Sequence, residues 1–378
     1  MKKICFVVSE PMTAKAFLLD HVQALRKHYE VTLVANFDDE QLATPFPGVT
    51  VMKRIPIQRN IRLITDLYAL LLLYMFFRKA GFCAVHSVTP KAGLIAMVAA
   101  RMAGVEHRFH TFTGQVWVGK SGLFRWLLIR LDRLIFLCAT HVLVDSPSQR
   151  DFLVQQRVIT RAGSGVLGEG SICGVNLQRF WPDPSAREAL RNELGVPCDA
   201  FVFLFLGRVN RDKGVSELVQ AFARIASRWD SAYLLVVGPE EDGVLAANGP
   251  VLESLGSRYV RKGFTSQPEV YMAAADVFCL PSYREGFGSV ILEAASAGIP
   301  SIGSRIYGIT DAIEDGKTGL LHRARDVDDL AEKMELLLKD RSRCRQFGED
   351  ARRRATERFG MDRVVGEMVG FYQLNVRL

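Results

Sequence analysis

The sequence predicts an α/β protein of two domains, each a parallel sheet with crossover helices, and three observations carry that prediction. Short β-branched runs alternate with helical patterns along the chain, the signature of strand–helix–strand units. The 378 residues exceed what one hydrophobic core organises, at roughly 100 to 200 residues per domain. The alternation starts afresh after Phe180-Trp-Pro-Asp-Pro184, whose prolines and turn formers mark a linker. The domains are therefore placed at residues 1–180 and 181–360, with an amphipathic helix over 361–378 packing back on the first.

In the first half, Ile4–Val8, Val31–Ala35, Ala84–His86, His107–His110 and His141–Val144 read as buried strands, with helices over Ala14–His28 and Leu94–Met102. In the second half, Phe201–Leu206, Tyr233–Val237, Tyr259–Arg261, Val277–Leu280 and Ser301–Ile302 are the expected strands. Helices over Val215–Arg228 and Val290–Ala297 separate them. A hydrophobic fraction of 49% suffices for two cores, and Gly 31 with Pro 14 excludes a collagenous or low-complexity chain.

The seven cysteines are odd in number, far apart and free of any Cys-x-x-Cys pair, which argues against a disulfide framework and against a zinc site. The reducing cytosol is the expected compartment. The apolar run after Lys2 and Lys3 is too short for a signal-peptide core. The net charge of +7 is uneven: residues 1–180 carry 22 Lys+Arg against 12 Asp+Glu, leaving 26 against 29 for the remainder. A basic first half calls for an anionic partner: nucleic acid, an acidic membrane surface or a phosphorylated lipid.

Two segments bear on that choice. Leu67–Phe77 is continuously apolar but about half the ~20 residues needed to span a bilayer. Leu123–Leu137 sets Arg125, Arg130 and Arg133 among Leu, Ile, Trp and Phe, the composition of a helix lying in a lipid interface. Two buried helices are the alternative; the basic surplus favours membrane contact. The second segment is too aliphatic for the interleaved aromatics of a nucleic-acid groove.

Two constellations carry chemistry. Gly207-Arg-Val-Asn-Arg-Asp-Lys-Gly214 follows a strand and opens a helix. Gly207 allows a close turn, Arg208 offers a planar fork to phosphate oxygens, and Lys213 adds a point charge near a helix N-terminus. A solvated basic turn is the alternative. Pro281-Ser-Tyr-Arg-Glu-Gly-Phe-Gly-Ser-Val-Ile-Leu-Glu293 likewise follows a strand, with Gly286 and Gly288 flanking Phe287 so that backbone N–H groups point at whatever binds. Glu293 then stands about one turn into a helix at the C-terminal edge of a parallel sheet, where open α/β folds bind ligands. Glu285 and Glu293 read otherwise as surface carboxylates.

Glu285 and Glu293, with Gly207-Arg208 and Lys213-Gly214, resemble the donor-site signature of glycosyltransferase family 4. Gly263-Phe264, Ala275-Asp-Val-Phe278, Ala297-Gly-Ile-Pro300 and Asp315-Gly-Lys-Thr-Gly319 extend the resemblance over nearly the whole chain. The resemblance implies the GT-B fold, two Rossmann-like domains facing across a cleft. It implies retaining transfer from a nucleoside diphosphate sugar, UDP being the expected nucleotide, without a metal or other cofactor. Arg208 and Lys213 then hold the donor diphosphate, Glu293 the ribose and Glu285 the hydroxyls of the transferred hexose, with the Phe287 and Gly288 amides completing the pocket. No enzyme nucleophile is implied, since the leaving diphosphate deprotonates the incoming hydroxyl.

In the first domain, His110-Thr-Phe-Thr-Gly-Gln-Val-Trp117 looks like the stretch that places a histidine at the donor sugar, and His110 takes that role. A satisfied structural histidine is the alternative reading. His86–Gly93 and Asp145–Ser148 resemble cleft-lining segments of the family. Gly168–Gly174 mimics a dinucleotide loop, but no apolar helix follows it before Pro182. Many family members carry paired glycines after the first strand; Ser9-Glu-Pro-Met-Thr-Ala14 lacks them, leaving Thr13 or Lys15 as candidates there. The Thr-Phe-Thr-Gly-Gln-Val-Trp tract resembles enzymes of bacterial surface polysaccharide assembly (O-antigen, capsule, exopolysaccharide). It implies a saccharide on a polyprenyl diphosphate as acceptor, and a cytoplasmic protein docked on the inner leaflet by its basic first domain. An epimerase or phosphorylase of the same fold, or a silent sugar-nucleotide-binding subunit, would share much of this pattern.

Overall fold

The computed structural model describes residues 1–58 and 60–376. Among the described residues thirteen strands run β1 Lys3–Val7, β2 Glu30–Ala35, β3 Val51–Arg54, β4 Ala84–Val88, β5 His107–Phe112, β6 His141–Val144, β7 Ser164–Val166, β8 Phe201–Leu206, β9 Ala232–Val237, β10 Tyr259–Lys262, β11 Val277–Leu280, β12 Ser301–Ser304 and β13 Gly319–His322. They form two sheets, ordered β3-β2-β1-β4-β5-β6-β7 and β10-β9-β8-β11-β12-β13. Every pairing is parallel.

Parallel strands covered by helices on both faces need no polar face, so β8 (Phe-Val-Phe-Leu-Phe-Leu) is apolar throughout and buried almost end to end. In each sheet the strand order reverses between the first and fourth strands, β1/β4 and β8/β11. The C-terminal ends there open a crevice between diverging crossovers, the usual ligand site of open α/β sheets.

The first compact unit comprises Met1–Gly174 and Met361–Leu378, the second Val175–Gly360. The division thus precedes the proline-rich segment proposed as the linker. Phe180 is buried in the core of the second unit, and Ser296 Oγ donates to its carbonyl at 2.6 Å. Asp183 caps the helix Pro184–Leu194 by accepting from the Ala186 amide at 2.9 Å. Those prolines start a helix rather than separate domains.

The terminal helix Met361–Asn375 belongs to the first unit because Tyr372 enters its core, where its hydroxyl meets His86 Nδ1 at 3.0 Å. Tyr29 OH donates to the Val376 carbonyl at 3.1 Å. The expected helix over Ala14–His28 is two short ones, Pro11–Phe17 and Leu19–Leu25, meeting at buried Leu18. The first therefore starts inside the segment that lacks the glycine pair.

Helix Leu63–Ala80 buries Ala69, Leu73 and Phe77, one four-residue stripe, while Leu67, Tyr68 and Leu71 are at least half exposed. Helix Gly122–Cys138 is divided in the same way: Ile135 and Cys138 are inside, Leu123, Trp126 and Leu137 outside. Core and surface readings of these segments each describe one face. Among the described residues no helix is long and apolar enough to cross a membrane, and the seven cysteines are free thiols.

Candidate functional site

In the second unit the two motif loops leave adjacent strands at the switch point and are stitched together. Tyr283 N donates to the Asp212 carbonyl at 2.8 Å, and Arg284 Nε and Nη2 reach Asp212 Oδ2 at 3.0 and 2.9 Å. Gly214, at φ +67°, sits against the second loop: a Cβ there would lie 2.0 Å from the Pro281 carbonyl oxygen, so no other residue fits. This contact brings Lys213 Nζ onto Glu285 Oε1 in an ion pair whose side chains are 20% and 14% exposed.

Arg208 stands earlier in the same loop as Lys213 and faces the neighbouring loop after β9. Its Nη1 donates to both oxygens of Glu241 at 3.2 and 3.0 Å, and Asn210 Nδ2 donates to Glu241 Oε2 at 2.8 Å. Backbone bonds from Val209 to Pro239 and from Glu241 to Val209, 2.7 and 3.0 Å, fasten the loop after β9 to the loop after β8. Asn210 also accepts from the Lys213 amide at 3.2 Å, closing the turn that presents the lysine. Both motif cations are thus held by carboxylates.

Beyond Glu285, Gly286 is touched by a third loop: Gly308, at φ +82°, has room for no Cβ, since one would come 2.5 Å from the Gly286 carbonyl oxygen. Phe287 buries its ring in the core, 5.3 Å from Phe359. Gly288, in left-handed conformation, opens the helix Ser289–Ser296, and the Phe287 and Gly288 amides donate to no acceptor among the described residues. Glu293 lies one turn in, half-buried, and burial pushes its carboxyl up to about 7 against the pull of nearby Arg179. Arg179 is itself paired with Glu269 at 2.8 Å.

The first unit holds the other candidates. His110 is fully buried, its Nδ1 2.9 Å from Ser87 Oγ and its Nε2 without a hydrogen-bond partner among the described residues. Burial pushes its pKa down to about 3, so the ring is neutral. It occupies the space a side chain at Gly93 would need: a Cβ there would be 2.3 Å from His110 Cε1. His86 is equally enclosed, with Nε2 2.9 Å from Thr111 Oγ1. After β5, Gln115 and Gln149 are buried and both donate to the Thr113 carbonyl, at 2.6 and 2.8 Å, fixing the loop that precedes Trp117. At the β1/β4 switch point, Ser9 Oγ meets Thr89 Oγ1 at 3.2 Å, and Thr89 holds φ +76°, a strained value for a β-branched residue. Thr13 is half-buried and Lys15 exposed nearby.

Glu241, Asn210 and Asp212 were not identified from the motifs. The signal available was the acidic run Glu240-Glu-Asp242 directly after the strand that neighbours β8. Among the described residues no group of three or more His, Cys, Asp or Glu is placed to hold a metal ion.

The family model "Glycosyl transferases group 1" matches residues 186–354, and "Glycosyl transferase 4-like domain" matches 14–163. A capsular polysaccharide biosynthesis glycosyltransferase, CapM of Staphylococcus aureus, is 30% identical over 84% of this chain and 83% of its own length. The chain belongs to the family 4-like glycosyltransferases. This glycosyltransferase is also 28% identical, over 71% of its length and 70% of the relative, to the UDP-Gal:alpha-D-GlcNAc-diphosphoundecaprenol alpha-1,3-galactosyltransferase of Escherichia coli. Among solved structures, Anabaena HepE in complex with UDP-glucose superposes with a TM-score of 0.81 at 19% identity, covering 99% of this chain and 100% of that one. Sucrose-phosphate synthase of Thermosynechococcus elongatus superposes with 0.83 at 23%, covering 99% of each. These likenesses place the glycosyltransferase in the GT-B fold class, with a Rossmann-like sheet in each unit.

Proposed function

We propose that this glycosyltransferase moves a hexose, with retention of anomeric configuration, from a UDP-sugar to a saccharide carried on a polyprenyl diphosphate, in the assembly of a bacterial surface polysaccharide. The observation that carries the reading is the pairing of Lys213 with Glu285 at the β8/β11 switch point and of Arg208 with Glu241 between the loops after β8 and β9. A diphosphate entering there exchanges with the carboxylates for two cations already in position, and those cations stabilise the charge that grows on the leaving group. Glu285, released from Lys213, becomes an acceptor for sugar hydroxyls, and Glu293 one for the ribose. His110, neutral and rigidly packed, is assigned to the sugar side through its unpartnered Nε2.

The CapM and galactosyltransferase relatives support the polysaccharide setting and the lipid-linked acceptor; the HepE complex supports a UDP-sugar. The exposed apolar residues and surplus basic charge of the first unit support residence at the cytoplasmic face of a membrane. No cofactor enters the proposed reaction, and turnover is expected to persist in chelator.

The test is incubation of purified protein with UDP-, GDP- and ADP-sugars, with and without a polyprenyl diphosphate saccharide, following nucleoside diphosphate release and the anomeric proton of the product. Release that requires acceptor and yields the donor's anomer supports the reading. Epimerised donor without acceptor, an inverted product, or donor binding without release under every pairing would each overturn it.

A further inference from the structure

The first unit carries a second concave feature, at the other edge of its sheet from the ligand loops. Helix Gly122–Cys138 connects two parallel strands, so it runs back against them and its last turns reach the edge where strands begin. The segment 156–163, leading into β7, lies at that same edge. Between them is a groove of about 850 Å³. Leu134, Phe136, Leu137, Val158 and Ile159 make it apolar, and Leu137 remains 63% exposed.

Arg130, Arg133, Arg157 and Arg161 also line the groove, and no acidic residue does. Arg161 pairs with Asp151 outside it, and Arg130 lies 5.0 Å from the Trp126 ring. The guanidinium groups of Arg133 and Arg157 pair with no side chain among the described residues. Arg157 is moreover held at φ +55°, a left-handed conformation uncommon outside glycine. Arg133 and Arg157 thus bring like charges to one groove with no ion-pair partner among the described residues, and an anion placed between such charges lowers their repulsion. Aliphatic walls offer nothing to a purely hydrophilic anion, nor do they stack bases. An amphiphile, anionic at its head and apolar in its chain, satisfies both parts.

We propose that this groove seats one anionic phospholipid of a bilayer, its phosphate among the arginines and its first chain segment against Leu134, Leu137 and Ile159. Leu123, Leu127, Leu134 and Leu137 recur at helical spacing on one face of the same helix, and all are exposed, so the bilayer surface continues along it. The proposal rests on the membrane association suggested above for its choice of a bilayer as the source of the anion. It goes beyond that suggestion by naming a lipid site apart from the edge that carries the ligand loops.

The test is flotation of the full chain with phosphatidylcholine vesicles, alone and with about one quarter phosphatidylglycerol, at physiological salt. At about one kcal/mol per basic residue, the charge-reversed pair Arg133→Glu/Arg157→Glu should bind the anionic vesicles at least about 30-fold more weakly. Arg26→Glu/Lys27→Glu, the same change of net charge elsewhere on the unit, should bind within about threefold of the parent. Leu134→Gln/Leu137→Gln should weaken binding with the arginines intact. Soluble short-chain phosphatidylglycerol should compete, and inorganic phosphate at equal concentration should not. Equal loss in the two charge-reversed pairs, parent-like binding by Arg133→Glu/Arg157→Glu, or equal competition by phosphate would overturn the proposal. Circular dichroism confirms that each variant is folded. Nucleotide release with detergent-dispersed acceptor reports the reaction separately: Arg133→Glu/Arg157→Glu should keep it, and its absence in the parent would defeat the proposed reaction while leaving the flotation result to stand.

Discussion

Replacing Lys213 by alanine tests whether the ion pair at the β8/β11 switch point is the phosphate clamp. Lys213 and Glu285 are 20% and 14% exposed, so the pair is poorly solvated and its removal is felt twice. In catalysis, losing a preorganised cation at the departing diphosphate should lower kcat/KM by on the order of 10² to 10³. In stability, the Glu285 carboxylate left without its partner should cost about 1 to 3 kcal/mol. Adding Glu285→Ala removes the stranded charge, so the double variant should regain part of that stability. Its activity should match the worse single variant, because residues acting as one unit are not additive. The assay is nucleoside diphosphate release at saturating acceptor, alongside urea unfolding of all four proteins. Turnover of Lys213→Ala within about threefold of the parent, or a double variant whose loss is the product of the single losses, would refute the clamp.

Three further outcomes follow from the packing and charge. With its pKa raised from 4.5 to about 7, Glu293 is protonated in the folded protein where the unfolded chain has ionised it, so stability falls as pH rises across that window. At about 1.4 kcal/mol per unit the loss is at most roughly 3 kcal/mol, and Glu293→Gln should flatten this part of the urea-unfolding profile between pH 5 and 8. Gly93→Ala places a methyl 2.3 Å from His110 Cε1 and should destabilise by about 1 to 3 kcal/mol, with His110→Ala in the same chain relieving it; an unchanged urea midpoint would contradict the tight packing of that ring. Gly214→Ala should reduce both stability and turnover, since its Cβ must push the Pro281 loop away, and parent-like kinetics would show that the loops need not touch.

Much of the layout of the candidate site in the second unit was legible in the sequence because its determinants are local. A strand read as an apolar run, then Gly207, Arg208 and Lys213 at fixed offsets, places cations at a sheet edge, and Glu285 and Glu293 follow the next motif strand in the same way. β8, β11 and β6 occupy the residues their apolar runs indicated. What stayed hidden was pairing. Nothing in the spacing says that Lys213 meets Glu285, or that Glu241, from a loop with no motif, holds Arg208, because both contacts depend on strand order. β3, with Lys53 and Arg54, the three-residue β7, and β13, with only Leu320 and Leu321, were missed because none carries a long apolar run. The proline-rich segment misled for a related reason: Pro184 at the first turn of a helix and the buried Phe180 ring differ from a linker only through what they pack against.

Those hidden pairings bear on how the clamp works. An unpaired arginine and lysine at a loop edge would sample many rotamers, and a diphosphate binding them would bear the whole ordering cost, up to about 2 kcal/mol for each long side chain. Held by Glu241 and Glu285, the two cations are ordered in advance, and in the proposed reaction donor binding exchanges one anion for another. On the same proposal the carboxylates balance the charge of the two cations, which would favour a doubly charged diphosphate able to outcompete them over weaker anions. Glu241→Gln should on this account leave Arg208 less ordered and weaken donor binding even though it removes a negative charge from the pocket. Simple electrostatics predicts the opposite sign. Donor affinity measured by calorimetry for Glu241→Gln therefore separates a clamp that is merely cationic from one that is preorganised.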